Sequence, residues 1–471
     1  MTISPCRSSF FIDYQDLHQL LLAIQKKCYE NNSQQIFSIS LNIDLIEPLI
    51  VLDKFAEVNV LNFYFENRSN GEAIAAIDSI AKLEISGKDR FTKAEHFIKD
   101  CLKNVINFGD IHQPFAGTHF FCSFSFFDQL HQVGYPFPPA TIFLPKLQVA
   151  VKNDCCTLVI NTIIDSSVNI QNIIQDIKTK IKIIQSLRNG SINIEFDSNK
   201  LFNINIENSD RYKYSVLSVL KKIQIKQLKK IVLADTLDVK ASKPFNLIKS
   251  LNNLREFYPN CYVFSTSNGQ GQNFIGASPE RLISIHQQQL ITDALAGSAP
   301  RGKTSTEDAV NADKLINSIK EKHEHKLVLD FITQHLSQLG LFPQVLAPRL
   351  RQLSNIQHLW TPITAVVPSN IHPLKIVSKL HPTPAVAGAD RDIACAEIRR
   401  YESFERGLYA APLGWVDAEG NCEFIVGIRS ALIDSDRARL YAGAGIVAGS
   451  DPDKEFAEVQ LKLQALLKAL V

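Results

Sequence analysis

The sequence lacks a strong excess of either charge, since 50 lysines and arginines oppose 48 aspartates and glutamates for a net charge of +2. Such a balance argues against a protein that binds nucleic acid or an anionic membrane surface through its overall field. The chain also lacks an uncharged apolar run of the roughly 18 residues that a membrane helix needs. Its N-terminus has no basic segment followed by a long apolar core, because Asp13 and Asp16 come early. These absences predict a soluble protein of the cytoplasm.

The nine cysteines are scattered, and none are spaced as Cys-x-x-Cys. This pattern argues against a disulfide framework and against a structural zinc site. We therefore expect reduced thiols that are buried or half-buried. With 471 residues, of which 45% are hydrophobic, the chain is long enough for one large domain or several ordinary ones, and it needs no cross-links.

The first part of the chain mixes helical periodicity with alternating, strand-like segments. The patterns predict helices at 16–32 and 91–108 and strands at 35–43, 118–128, 140–151 and 157–164. Between about 165 and 205 the sequence becomes rich in Ile, Asn and Lys, with a helix pattern followed by an Asn-Gly turn. We interpret this stretch as a variable surface excursion.

From about residue 210 a helix pattern leads into the strand 229–239, and short strands then alternate with helices. Several strands follow one another across short turns, namely NFIGAS, RLISIH and QLITDAL, then APLGWVD, CEFIVGIRSALI and ARLYAGAGIV. Strands joined by short turns pair antiparallel, so the pattern predicts an α+β fold and not a parallel doubly wound sheet.

The last predicted helix carries a charged stripe beside its apolar face. Ser450 is a predicted N-cap, and Glu455, Glu458 and Lys462 follow at helical spacing. A stripe of this kind is either a solvated, ion-paired surface or a set of metal-binding carboxylates followed by an ammonium that holds an anion.

A second helix pattern, KHEHKLVLDFITQHL, places Glu321 and Glu324 on one face. Its histidines, His323 and His325, lack the spacing of a zinc-binding helix. Glu324 and Glu458 could share a magnesium ion, but spacing alone does not show that the two helices meet.

Two further segments contain candidate binding or catalytic residues. In LYAGAGIVAGS, Gly443 and Gly445 precede a third glycine at 449, one residue too far for a dinucleotide fingerprint. We expect a glycine-rich turn at a helix start, whose N–H groups can hold a carboxylate or phosphate. In ASPERL, Glu280 follows a proline turn between strands, where it is either a surface glutamate or a general acid.

Taken together, the phrases resemble those of the chorismate-utilising enzymes, a family that includes isochorismate, salicylate, anthranilate and aminodeoxychorismate synthases. The matching phrases are KIVLAD, FIGASPERL, DALAGSAPRG, EKHEH, IQHLW, LHPTPAVAG, FERGLYAAPLGWVD, GIRSALI and LYAGAGIVAGSDPDKEFAEVQLKL. The resemblance is strong over 210–471, the expected chorismate-binding catalytic region, and loose over 1–209, the expected divergent N-terminal half. It implies a single α+β domain with large antiparallel sheets in two halves, as in anthranilate synthase component I.

The resemblance also indicates which nucleophile attacks chorismate. Lys230 matches the lysine with which isochorismate and salicylate synthases deprotonate water, although Asp235 stands where an arginine is frequent. Ala296 replaces the nucleophilic lysine of aminodeoxychorismate synthases, and anthranilate synthases lack the counterpart of Lys230, so amination is disfavoured. Ala385 stands where salicylate and anthranilate synthases tend to have threonine, which favours release of isochorismate over elimination of pyruvate.

The resemblance implies a role for each remaining residue. Lys230 is the expected base and Glu280 the expected acid; Mg²⁺ is expected on Glu324 and Glu458, with Glu455 and Glu321 beside them. The residues expected to contact chorismate are Gly297, Ser298, His358, Ala385, Tyr409, Arg429, Gly443, Gly445 and Lys462.

Two alternatives stay open at this point: a salicylate synthase and a non-catalytic chorismate-binding subunit. The presence of both Lys230 and Glu280 argues against the second. For the product, isochorismate, a menaquinone or phylloquinone pathway is preferred. The resemblance implies no obligatory glutamine amidotransferase partner and is compatible with a monomer.

Overall fold

The structure, a computed structural model, describes residues 13–132, 134–188, 190, 201–206, 209–353 and 356–470. Residues 1–12, which include Cys6, and the asparagine of the predicted Asn-Gly turn lie outside these residues.

The secondary structure alternates between strands and helices along the whole described chain. The strands of the first half are β1 Gln35–Ile43, β2 Asn62–Asn67, β3 Glu72–Ile85, β4 Val105–Gly109, β5 His119–Phe124, β6 Ala140–Lys152, β7 Cys155–Ile164 and β8 Leu201–Ile206. Those of the second half are β9 Lys230–Ala241, β10 Tyr262–Ser267, β11 Gln272–Ser278, β12 Arg281–His286, β13 Gln289–Pro300, β14 Gln344–Val345, β15 Arg349–Gln352, β16 Ile356–Val366, β17 Pro412–Asp417, β18 Cys422–Val426, β19 Ser430–Asp434 and β20 Arg437–Val447. The helices are α1 Tyr14–Asn31, α2 Pro48–Phe55, α3 Arg90–Leu102, α4 Ile170–Ser186, α5 Ser209–Gln224, α6 Leu247–Phe257, α7 Ser305–Asn317, α8 Ile319–Gln338, α9 Pro373–Leu380, α10 Arg391–Tyr401 and α11 Pro452–Leu470.

Hydrogen bonds join the described strands into one branched sheet. The branch point is β6, which pairs with β3 along its length and with β5 and β7 at its two ends. A first arm runs from β3 through β2, β10, β11, β19 and β20 to β9. A second arm runs from β5 through β17, β18, β12 and β13 to β16. Every pair in the two arms is antiparallel, which confirms the predicted α+β fold in two halves.

In the second half of the chain, two crossings connect the arms, and both carry a predicted site residue. Glu280 lies in the crossing from β11 to β12, and Arg429 lies in the return crossing from β18 to β19. The crossings bond to each other, because Val426 N donates to the Glu280 carbonyl at 3.0 Å and Ala277 N donates to the Arg429 carbonyl at 3.1 Å. The fold therefore fixes Glu280 and Arg429 where the arms meet.

Two predicted elements were wrong in extent. The helix predicted at 91–108 stops with α3, and its last residues form β4, which pairs parallel with β1. Sheet pairing thus overrides the helical periodicity there, as it often does for segments rich in Val, Ile and Phe. The strand predicted for CEFIVGIRSALI divides into β18 and β19. The break is at Arg429, whose φ of 50° is left-handed and incompatible with an extended strand.

The stretch interpreted as a surface excursion is also different in the structure. Its helix, α4, packs against α1 and buries a regular apolar stripe. The stripe consists of Ile170, Ile174, Ile177, Ile181 and Ile184. This spacing of three and four residues places every one of these isoleucines on a single face, so α4 belongs to the hydrophobic core.

The expected thiols are confirmed for the cysteines that the structure describes. All eight are unbridged, five of them buried and three of intermediate exposure. Among the described residues, no helix combines the length and the apolar character required to cross a bilayer.

Arg406 is fully buried and holds β9 in place. Its guanidinium donates to the two carboxylate oxygens of Glu402 at 2.6 and 2.8 Å. It also donates to the carbonyls of Val232 and Val386, each at 2.9 Å. Glu402 accepts a further bond from Ala234 N at 2.8 Å. The pair therefore ties β9, which begins with Lys230, to the loop that leads into α10.

We expect Arg406→Ala to lower the free energy of unfolding by about 3–5 kcal/mol, because a buried carboxylate and two carbonyls lose their partner. Urea denaturation measures this loss. The exposed Arg400, on α10, provides the control: Arg400→Ala should stay within about 0.5 kcal/mol of the unmodified protein. A similarly small effect for Arg406→Ala would contradict the account.

Candidate active site

A cavity of about 440 Å³ lies where the two crossings, β13, β20, α8 and α11 meet. Its size suits a small-molecule ligand. Every predicted site residue except Lys230 lines it. These residues are Glu280, Gly297, Ser298, Glu321, Glu324, His358, Ala385, Tyr409, Arg429, Gly443, Gly445, Glu455, Glu458 and Lys462.

Lys230 lies behind the cavity wall and is connected to the cavity through Glu324. Its side chain is 0% exposed, and its Nζ donates to Glu324 Oε1 at 2.8 Å. The paired strand β20 has a glycine here, Gly445. A Cβ at this position would lie 2.8 Å from Glu324 Oε1 and 3.3 Å from Lys230 Cε. Glycine at this position therefore leaves room for the ion pair in the observed geometry.

Glu280 has a different environment, because its side chain lines the cavity and forms no ion pair among the residues that the structure describes. The residue is 6% exposed. Burial raises the pKa of the Glu280 carboxyl to about 8; the charge of Asp293 raises it further, while Lys230 and Arg351 act in the opposite direction. At neutral pH the carboxyl keeps its proton and can donate it.

Asp293 is a site-related residue that the sequence reasoning missed. It is fully buried on β13, and Arg281 pairs with its carboxylate at 3.0 Å. Trp360 Nε1 donates to Asp293 Oδ1 at 2.9 Å. A charged residue in the middle of the apolar strand QLITDAL was the available signal. These partners hold the Asp293 carboxylate at a fixed place, from which its charge acts on Glu280.

Arg429 is suited to bind an anion. Its Nη1 is buried and has no hydrogen-bond partner among the residues that the structure describes. A buried donor of this kind is costly unless it is satisfied, and a ligand carboxylate would satisfy it. Nearby, burial lowers the pKa of His358 well below its usual value, and Arg429 and Lys462 lower it further, so this imidazole is neutral.

The glycine-rich segment is not the predicted turn at a helix start. Gly443 and Gly445 are inside β20, which continues to Val447. The helix α11 begins later, and its cap is Asp451 and not the predicted Ser450. Asp451 Oδ1 accepts from the backbone N–H groups of the helix at 3.0 and 3.1 Å.

The two glycines nevertheless present backbone groups to the cavity, along the edge of β20. Their partners on β9, Val232 and Ala234, direct N–H groups to acceptors outside β20. Antiparallel alternation then requires the N–H groups of Gly443 and Gly445 to point away from β9, toward the cavity. The carbonyl of Gly443 follows the same rule, since it accepts from Lys462 Nζ at 2.8 Å.

The wall formed by β13 depends on a local irregularity. The register of β13 shifts at Gly297, whose φ of 77° is left-handed. Ser298 N then donates to Glu321 Oε2 at 3.0 Å. A Cβ at Gly297 would approach Glu321 to 3.2 Å, so glycine suits both the conformation and the space.

The helices α8 and α11 meet at the cavity, which sequence spacing could not show. Each contributes two glutamates to one cluster: Glu321 and Glu324 from α8, Glu455 and Glu458 from α11. Lysines neutralise the cluster. Lys462 Nζ lies 2.8 Å from Glu458 Oε1. Lys320 Nζ lies 3.5 Å from a Glu455 oxygen and 3.7 Å from a Glu321 oxygen.

Sequence reasoning missed Lys320. It stands four residues before Glu324 on the same helix, so the spacing used for the glutamates could have found it.

The glutamates repel one another enough to affect their protonation. Burial raises the pKa of Glu321 and of Glu455, and neighbouring glutamates add to both shifts. Burial would also raise the pKa of Glu458, but Lys462 and Lys320 together with a bond from Ser298 bring it below its usual value. Crowded carboxylates are stabilised by cations.

The donor set suits a divalent cation in its chemistry, because Mg²⁺ prefers carboxylate oxygens. Among the described residues, no three acidic, histidine or cysteine side chains are already arranged to hold a metal ion. Holding one would therefore require these side chains to exchange their lysine partners for the ion.

Comparison with known proteins defines the class. The family model for chorismate binding enzymes matches residues 23–471 of the chain. The protein belongs to the chorismate binding enzyme family. The match spans the N-terminal half as well as the region that carries the motifs.

Three relatives make the comparison more specific. The chain is 28% identical over 457 residues to isochorismate synthase MenF of Bacillus subtilis, covering 94% of this chain and 95% of that one. It is 42% identical over 248 residues to the salicylate biosynthesis isochorismate synthase of Pseudomonas aeruginosa, covering 51% of this chain and half of the relative. The structure of Escherichia coli MenF, a menaquinone-specific isochorismate synthase, matches with a TM-score of 0.75 and 25% identity, covering 96% of this chain and 100% of that one. Family and fold are thereby confirmed.

Glu280→Gln should stabilise the protein near pH 8, and the gain should disappear as the pH falls toward 4.5. Between these values the native carboxyl keeps a proton that the unfolded chain releases, so the unmodified protein loses stability as pH rises. Urea denaturation at both pH values measures the difference. Glu57→Gln, at an exposed position, reports the effect of the amide itself. A gain for Glu280→Gln that is equal at both pH values would argue against a raised pKa.

Proposed function

We propose that the protein is an isochorismate synthase, which converts chorismate to isochorismate by addition of water at C2 and loss of the C4 hydroxyl. The observation that carries this proposal is the presence of two buried ionisable groups at one cavity: Glu280 lines it, and Lys230 lies behind its wall. Lys230 is fully buried with its Nζ 2.8 Å from a Glu324 oxygen, and burial raises the pKa of the Glu280 carboxyl to about 8. A base and an acid with such different environments are what this reaction requires.

Substrate binding follows from charge. Chorismate carries two carboxylates, and the cavity offers a buried guanidinium nitrogen at Arg429 together with the ammonium of Lys462. The N–H groups of Gly443 and Gly445 add donors along the same edge. The bidentate geometry of a guanidinium suits a carboxylate and would fix the orientation of the ring. Tyr409, His358, Ser298 and the small residues at 297 and 385 line the remaining walls.

The proton transfers balance without a redox cofactor. Lys230, acting as a neutral amine that has given one proton to solvent, accepts a proton from water as the oxygen bonds to C2. The ring double bonds shift, the C4–O bond breaks, and Glu280 gives its proton to the departing hydroxide, which leaves as water. One water enters and one leaves, so the reaction is a reversible isomerisation. Proton exchange between the protein and solvent restores Lys230 and Glu280.

We infer a dependence on Mg²⁺, which Glu324 and Glu458 would hold, with Glu455 and Glu321 beside them. The crowding of these four carboxylates supports this assignment. A bound Mg²⁺ would offset the charge of the substrate's ring carboxylate.

Ala385 supports release of isochorismate without further chemistry, since its methyl group offers the ring no hydroxyl. Salicylate synthesis, in which pyruvate is eliminated as well, is the second function to test.

Several wider assignments belong to the same proposal. All the cavity-lining residues lie between 232 and 462, which supports 210–471 as the catalytic region. Similarity to the two MenF proteins favours a menaquinone or phylloquinone pathway. The unbridged cysteines suit the reducing cytoplasm. A monomer that acts without a glutamine amidotransferase is in keeping with a site built by one chain.

Incubated with chorismate and Mg²⁺, the protein should form isochorismate and release no pyruvate. Lys230→Gln and Glu280→Gln should each lower kcat by about 100- to 10,000-fold, because each removes one proton transfer. Chromatography of the products and a coupled pyruvate assay make the measurement.

Lys229→Gln is the matched control, since Lys229 is the exposed neighbour of Lys230 and should leave kcat unchanged. Pyruvate and salicylate in equal amounts would identify a salicylate synthase. Binding of chorismate without conversion would identify a non-catalytic subunit. Substantial turnover by either Gln variant would contradict the proposed role of the residue that it replaces.

A further inference from the structure

Lys320 is placed differently from the other cations of the glutamate cluster. Its Nζ lies between Glu455 and Glu321, 3.5 and 3.7 Å from their nearest oxygens. Its charge also interacts with Glu324 and with Glu458. One ammonium therefore contacts one glutamate of each helix, Glu321 of α8 and Glu455 of α11, and its charge acts on the other two. This central position is the one that a divalent cation bound by the same carboxylates would share.

The other two lysines of the cluster are anchored more firmly. Lys230 and Lys462 each lie 2.8 Å from one glutamate oxygen. Lys230 is fully buried, and Lys462 also donates to a backbone carbonyl. Lys320 is 38% exposed and its contacts are longer, so its flexible side chain can carry the ammonium out into water.

We propose that Lys320 is an intrinsic competitor of the metal: its ammonium holds the four glutamates together, and a divalent cation displaces it toward solvent. The inference rests on the proposed Mg²⁺ dependence. The physical reason is Coulombic, because an ammonium and a dication within a few ångströms of each other repel in a partly desolvated site. Lys320 thereby weakens metal binding in the protein without substrate and keeps the carboxylate cluster neutralised.

The test is calorimetric titration of Mg²⁺ into the whole protein without substrate, at constant ionic strength. Lys320→Met should lower the dissociation constant for Mg²⁺ at least about tenfold, the change expected for removing about 1.4 kcal/mol of repulsion. Lys320→Arg keeps the charge and should not tighten binding. Lys322→Met removes an exposed charge two residues along α8 and should leave the affinity unchanged.

Stability gives a second readout that does not depend on catalysis. With a chelator present, Lys320→Met should have a lower urea midpoint than the unmodified protein, and Mg²⁺ should restore it. An unchanged midpoint, an unchanged or weaker Mg²⁺ affinity, or no saturable Mg²⁺ binding in either protein would overturn the inference. Isochorismate formation by the unmodified protein, measured separately, would show that the proposed function survives such a result. Tighter Mg²⁺ binding by Lys320→Met, without isochorismate formation by the unmodified protein, would instead support Lys320 as a competitor of the metal and reject the proposed function.

Discussion

The contact between Lys230 and Glu324 is the interaction on which the site depends. It joins the first residue of β9 to α8, and Gly445 on β20 leaves room for it. A buried ion pair costs desolvation, so it stabilises the protein only where its geometry is good and its neighbours are satisfied. The buried Arg406–Glu402 pair, which anchors the next residues of β9, meets that condition. The proposed base is thus positioned by the core of the fold.

The protonation of the proposed acid, Glu280, is controlled in a different way. Glu280 lies at a crossing between the two sheet arms, where burial and a fixed negative charge at Asp293 keep its carboxyl protonated. The two ionisable groups of the proposed reaction, Lys230 behind the cavity wall and Glu280 in the cavity, therefore have unlike surroundings. The positive charges of the lysines and the negative charges of the glutamates around them nearly cancel. A site with many charges is thus compatible with a protein of net charge +2.

Much of this could be predicted from the sequence, because the motifs are contiguous phrases. The α+β class, the family and the residues that line the cavity were all accessible in this way. What failed depends on contacts between distant segments. Pairing with β1 converts the end of a predicted helix into β4, and β9 keeps Gly443 and Gly445 in a strand. Asp293 and Lys320 each left a signal in the sequence, but their contacts with Trp360 and with Glu455 form only when β13 meets β16 and α8 meets α11.

The central claim is that water activated by Lys230 attacks C2 while Glu280 protonates the departing C4 hydroxyl. The most direct test is the conversion of chorismate in water enriched in the heavy oxygen isotope, followed by mass spectrometry of the isochorismate formed in a single turnover. The account predicts one solvent-derived oxygen, located at C2. Isochorismate that keeps the original C4 oxygen would contradict it, since the hydroxyl would then have migrated without any attack by water.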